Sequence, residues 1–268
     1  MYYFSPMKNI SLLILFAPLF LFSCTSHLFE ITDYDSLFEK DMVLVEGGWF
    51  VMGCLDDNWI NGSYCHSEDC PEHMVYVDSF YIGKYEVTFE QWKAVMGAYP
   101  KCFNERYLEI NVPFYKKSPI FRVTWSDCQE FIAKLNKRSK RRYRMPTEAE
   151  WEYAAKGGIK TQNYIFSGSD SASDVAVIGN EPRLVGSLKP NELGLYDMSG
   201  NVKEWCSDWY DLYKADKQTN PKGANSGASR VVRGGSYASG SLYYAVKKRD
   251  SSDPDYKGDI GLRLVIEL

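Results

Sequence analysis

The chain has 268 residues, a net charge of −4 and 45% hydrophobic residues, with 20 Tyr, 14 Phe and 7 Trp. That is enough for one large domain or two small ones with an aromatic-rich core. The mildly acidic balance gives no electrostatic case for nucleic acid or an anionic membrane surface, and the one basic run, KRSKRR (Lys137 to Arg142), is expected to follow a helix end, where cations are favoured.

Lys8 and the apolar run ISLLILFAPLFL (Ile10 to Leu21) read as the core of a signal peptide. The run is too short for a spanning helix, which needs about 20 residues. LFSC (Leu21, Phe22, Ser23, Cys24) resembles the lipobox of bacterial lipoproteins. That resemblance implies removal of residues 1–23, lipid on Cys24, and a chain held by its lipid anchor in the bacterial cell envelope, at the outer membrane. Residues 24–40 lack clear periodicity and read as a lipidated tether.

The folded domain is expected over residues 41–268. MVLVEGGWFVMG (Met42 to Gly53) reads as two short strands about Gly47 and Gly48, and MVYVDSFYIGKYEVT as one or two more. Three helices carry start signals. Thr88 with Gln91 forms a capping box and Gly97 a stop; Thr124 or Ser126 caps WSDCQEFIAKLNKRS; Thr147 with Glu150 opens EAEWEYAAKGG. Beyond Gly158 the chain is turn-rich. VVRGGSY and IGLRLVIEL supply late strands, the last expected beside the first.

Seven cysteines are present, and six remain once Cys24 is set aside. An exported protein favours a disulfide among Cys54, Cys65, Cys70 and Cys102 over a zinc site, with the pairing left open. Cys128 and Cys206 read as buried thiols.

RVVRGGSYASGSL (Arg230 to Leu242) poses the functional question. Paired glycines allow close backbone approach, so the segment reads as the rim of a site. Yet it holds no thiol, histidine or carboxylate.

Taken in order, MVLVEGGWFVMG, FYIGKYEVTFEQWKAVMG, YRMPTEAEWEYAAKGG, NELGLYDMSGNVKEWCSDWY, RVVRGGSY and GLRLV resemble the sulfatase-modifying factor family, that of the formylglycine-generating enzyme. The resemblance implies an α+β domain with a divergent C-type-lectin-like fold and little regular secondary structure. It implies an oxidase that converts a sulfatase cysteine to formylglycine with copper held by two cysteines just after the GGSY block. Here Ser239 stands at the first cysteine, and Tyr244 or a deletion at the second. Cu(I) wants soft thiolates, so copper and the family oxidation are not expected. What remains is a degenerate cleft of Tyr237, Ser239, Tyr244 and Arg249 with no catalytic residue. A Ser239 nucleophile would need a base, and sequence links neither His66 nor His73 to it.

The resemblance also implies a structural calcium ion on the side chains of Asp197 and Glu204 and the carbonyls of Gly200 and Val202. Calcium takes six to eight oxygens, which suits this set. The expected role is a membrane-anchored scaffold that binds envelope proteins, as in family lipoproteins of gliding and secretion machinery. The alternatives are sulfatase maturation through an altered site, and a carbohydrate- or peptide-binding module using exposed Tyr and Trp.

Overall fold

The computed structural model describes residues 1, 34–55, 67–103 and 115–268. Its strands are short, and three small sheets share the work of the core. The first holds β1 (Met42–Val45), β4 (Phe80–Gly83), β11 (Val265–Ile266) and β5 (Tyr143–Arg144), in that order. The second runs β10 (Ile260–Gly261), β6 (Lys203–Trp209), β8 (Arg230–Arg233), β9 (Asp250–Ser252). The third is β2 (Gly48–Met52), β3 (His73–Val77), β7 (Gln218–Thr219). Five helices appear among the described residues: α1 (Tyr34–Phe38), α2 (Phe89–Met96), α3 (Trp125–Asn136), α4 (Glu148–Ala155) and α5 (Ala172–Val175).

The three capped helices start where the hydroxyl residues require. Thr88, Thr124 and Thr147 each accept the backbone N–H three residues on, and Gln91, Asp127 and Glu150 reach back to the cap. Thr124, not Ser126, is the cap of α3. Gly97 closes α2 in the left-handed region, at φ 84°. Trp92 on α2 stacks on Phe131 of α3 at 5.0 Å, which locks the two helices over one apolar core. Trp151 and Tyr153 of α4 are buried in a second core with Val75, Val77 and Val231.

Two expectations are corrected. The last strand does not lie beside the first: β11 sits between β4 and β5, with Val265 opposite both Ile82 and Arg144. A nearly continuous apolar run suits a strand flanked on both sides better than an edge. The region expected to be tether is folded from Tyr34, because Phe38 is buried and Tyr34 and Leu37 pack on the α2–α3 core.

Cys54 is disulfide-bonded. Its partner lies outside the described residues, where the remaining cysteines are Cys24 and Cys65; His66 lies there too. Cys70 and Cys102 are thiols, so they leave the set of disulfide candidates. The exposed Cys102 directs its sulfur to the Arg122 carbonyl at 3.8 Å. Cys128 and Cys206 are buried thiols, as expected. Among the described residues, no helix is long and apolar enough to cross a membrane.

Candidate functional site: a serine-lined cleft and the charges behind it

Strand β8 delivers the chain to Gly234 and Gly235, both at positive φ (91° and 69°). A Cβ on Gly235 would meet the Tyr243 carbonyl oxygen at 2.7 Å, and one on Gly234 the Trp151 ring at 3.2 Å. Only glycine fits both the backbone angle and the space. The turn is pinned from the neighbouring segment: Gly200 N–H donates to the Gly234 carbonyl at 2.8 Å, and Tyr237 N–H to the Asn201 carbonyl at 2.7 Å.

Past the double glycine the side chains form a closed set of hydroxyls. Ser236 is fully buried and its Oγ donates to Asp259. Ser239 Oγ accepts the Ser236 N–H at 2.9 Å and lies 3.1 Å from Ser236 Oγ. Tyr244 donates from its phenol to the Ser239 carbonyl at 2.5 Å, its ring buried with Phe166, Val175 and Ala176. Tyr237 is half-buried, 6.2 Å from Phe121, and burial together with Asp259 raises its phenol.

Tyr237, Ser239 and Tyr244 are therefore neighbours, and Tyr244 aligns with a packed wall. Arg249 does not join them. Its guanidinium pairs with Glu148 at 2.7 and 2.8 Å and lies 3.6 Å from the Tyr213 ring centre. The expectation that Arg249 lines the cleft is corrected: just before the start of β9 it is held against Glu148 and Tyr213. His73 is buried in β3 against Tyr213, with Nδ1 3.1 Å from the Pro71 carbonyl, and offers Ser239 no base. Among the described residues Ser239 Oγ meets only Ser236, which in turn meets Asp259.

Behind the glycines lies a buried ionic framework that sequence reasoning missed. Arg233 pairs with Glu152 and also donates to the carbonyls of Val246 and Lys248 at 3.0 and 2.8 Å. Burial works against the Glu152 charge, but Lys156 and Arg233 hold its carboxyl below the usual range. Lys248 meets Asp69 at 3.1 Å, and Asp208 accepts the Glu148 N–H at 3.0 Å. Burial, with the neighbouring Glu148, pushes Asp208 up to about 7. The signal available in sequence was charge inside apolar strands, as in VVRGG and GLRLV.

The four residues expected to hold calcium stand beside a second buried group. Glu204 takes Arg263 at 2.6 Å and the Trp151 indole N–H at 2.7 Å. Arg263 Nε adds contacts of 3.0 Å to both Glu204 oxygens. Those bonds occupy Glu204, whose part is to neutralise Arg263. Val202 turns its N–H to Glu86 at 3.1 Å, and Asn201 its amide to the same carboxyl at 2.7 Å. Asp197 accepts the Gly186 N–H at 2.7 Å through Oδ2, while its buried Oδ1 has no partner among the described residues. Burial raises Asp197 to about 6, and burial with the charges of Asp197 and Glu204 pushes Glu86 well above the usual range. Three buried carboxyls face one guanidinium, and one orphaned oxygen is left. Asp197 keeps a free buried oxygen, while both Glu204 oxygens are taken up by Arg263 and Trp151.

Short twisted sheets, long pinned loops and a Gly-Gly turn roofed by serines define a C-type-lectin-like fold of the formylglycine-generating-enzyme type. The chain belongs to that family: the model described as "Sulfatase-modifying factor enzyme 1-like domain" matches residues 32–268. It is 31% identical to "Chaperone protein LppX" of Paenibacillus barcinonensis, over 87% of this chain and 92% of that one. It is 37% identical to the formylglycine-generating enzyme of Streptomyces coelicolor over 54% of this chain, and spans 51% of that enzyme. It also matches a third (33%) of the length of "Serine/threonine-protein kinase pkn1" of Chlamydia pneumoniae, at 33% identity over 74% of this chain. Among solved structures, "Treponema denticola variable protein 1" superposes with a TM-score of 0.72 at 28% identity, over 85% of this chain and 95% of that one.

Proposed function

We propose that this chain is a non-oxidising member of its family that binds protein partners in the bacterial cell envelope, at the outer membrane, held there by lipid on Cys24. The observation that carries this reading is the cleft itself. Ser239 is turned into a serine–aspartate hydrogen-bond set and Tyr244 fills the wall, so neither position supplies a soft ligand for copper. The framework that shapes the cleft is nevertheless complete. A relative named a chaperone protein aligns along most of the chain, which supports a role in holding another protein.

The test is affinity purification of the tagged lipoprotein from gently solubilised native envelopes, with Cys24→Ser as the control. A stoichiometric set of envelope proteins, lost from the membrane fraction in Cys24→Ser, is the expected result. A clean monomer that binds Cu(I) and shifts the mass of a sulfatase-motif peptide would overturn the reading.

A structural calcium ion at Asp197, with the carbonyls of Gly200 and Val202, belongs to the same proposal. Its support is the orphaned Asp197 oxygen and the excess of buried carboxyls around it. Calcium supplies positive charge and ordering there, not chemistry. Chelation should lower the melting temperature, with calcium restoring it; a melting temperature indifferent to chelator sinks this part alone.

A further inference from the structure

We propose that the cleft beside the outer face of β2 and β3 binds a saccharide, with Trp49 as its stacking platform. The solvent face of an antiparallel pair is ordinarily polar. Here it carries Trp49 opposite Tyr76 and Val51 opposite Met74. Trp49, Val51 and Met74 are exposed by 45, 41 and 40%, although the inward His73, Val75 and Val77 of β3 and Met52 of β2 are buried. Such a cluster on a rigid sheet marks an interaction site.

The indole is held rather than loose. Tyr76 packs against it at 5.2 Å, and the Lys217 ammonium lies 3.9 Å from its ring centre. An exposed lysine is a displaceable cover, and its position shows that the ring face accepts a partner. Beside Trp49 opens a cavity of about 370 Å³, lined further by Phe50 and Tyr164 on the apolar side and by Glu72, Asn163 and Lys247 on the polar side. That volume lies at the lower end of small-ligand sites.

The polar groups are set in place before any ligand arrives. Lys247 and Glu72 pair at 2.8 Å. Asn163 sits at φ 59°, its N–H tied to Thr161 Oγ1 at 3.1 Å, a conformation asparagine tolerates. Among the described residues, neither the Trp49 indole N–H nor the Asn163 amide has a hydrogen-bond partner. A pyranose ring matches this arrangement. One face of C–H bonds lies on an aromatic ring, and its ring of hydroxyls needs mixed donors and acceptors in fixed positions. The concavity and mixed polarity favour an inserted sugar over a flat lipid surface.

The test titrates the full chain with soluble glucan, chitin and peptidoglycan-derived oligosaccharides, read by calorimetry and tryptophan fluorescence. Vesicles of phosphatidylglycerol and phosphatidylethanolamine are the comparison. At least one oligosaccharide should bind saturably. Trp49→Ala should weaken it by about tenfold or more, as a central aromatic anchor does, and Asn163→Ala by less, with unchanged melting temperatures. The inference is overturned if no oligosaccharide binds, if Trp49→Ala binds as the parent does, or if only vesicles are bound. None of these outcomes bears on the partner reading, which rests on the serine cleft.

Discussion

The two sides of the Gly234–Gly235 turn have fared differently. In front, neutral side chains line the turn: the half-buried Ser239 leans on Ser236, and Tyr244 closes the wall. Behind, Arg233, Glu152, Glu148, Arg249 and Lys248 remain charged, paired and nearly inaccessible to water. The difference follows from solvent. A half-buried side chain such as Ser239 can be changed at small energetic expense, because water satisfies whatever the new side chain leaves open. A buried ion cannot be changed alone, because its partner is then left charged in a medium that does not solvate it. The front of the turn can therefore change with less harm to the fold than the rear.

The largest effect should come from the rear framework. Arg233→Ala leaves the fully buried Glu152 with only Lys156 as a charge partner and strips donors from the carbonyls of Val246 and Lys248. Breaking one member of such a pair costs about 3–5 kcal/mol, which for a domain of this size lowers Tm by roughly 10 °C. Thermal unfolding checks it. A drop of a degree or two would mean that the framework is relaxed by water and that the contrast between the two sides is not real.

Asp208 sharpens the same contrast through pH. Its folded value of about 7 lies above the ordinary 3.8, so its contribution to stability is complete below that ordinary value and is lost as pH rises through 7. Asp208→Asn keeps an acceptor for the Glu148 N–H and cannot ionise. It should flatten the fall in stability between pH 4 and about 8 and be at least as stable as the parent at the upper end. Denaturant titrations across pH read this directly; an unchanged slope would assign the dependence to other groups.

Much of the fold was legible in the sequence because its signals are local. A threonine three residues before a glutamine or glutamate marked two of the helix starts, and a threonine or serine the third, where the structure selects Thr124. The family motifs located the Gly-Gly turn and the residues around it. What escaped was long-range. Nothing local says that IGLRLVIEL splits into β10, parallel to β6, and β11, between β4 and β5. Nor does it say that Arg249, only five positions after Tyr244, faces Glu148 rather than Ser239. Position along the chain places a residue near the cleft; the turn of the backbone decides which side of the glycines it reaches. Cys54 was a sound disulfide candidate and Cys102 was not, because pairing depends on where loops return in space.

A capping change gives an intermediate effect that calibrates the scale. Thr147→Ala removes the acceptor of the Glu150 N–H, a 3.2 Å bond at the start of α4. Loss of such a cap costs about 1 kcal/mol. Because α4 carries Glu148 and Glu152, the loss should add to that of Arg233→Ala by a different amount than independent sites would give. A double-mutant cycle in denaturant measures it, and strict additivity would show that the helix start and the ion pairs are independent.

Ser239→Ala should have the smallest effect and decides how the cleft is to be understood. The substitution removes one acceptor from the Ser236 N–H, a bond of 2.9 Å, and one neighbour from Ser236 Oγ, which keeps Asp259. Ser239 is only half-buried, so water can reach the vacated position. A hydrogen bond in that setting is worth about 1 kcal/mol or less, and unfolding should hardly move. If Ser239→Ala were instead as damaging as Arg233→Ala, the serine would belong to the framework rather than to the rim of the cleft. If stability holds but the envelope partners no longer co-purify, the cleft itself is the binding surface, and the hydroxyls contact the partner directly.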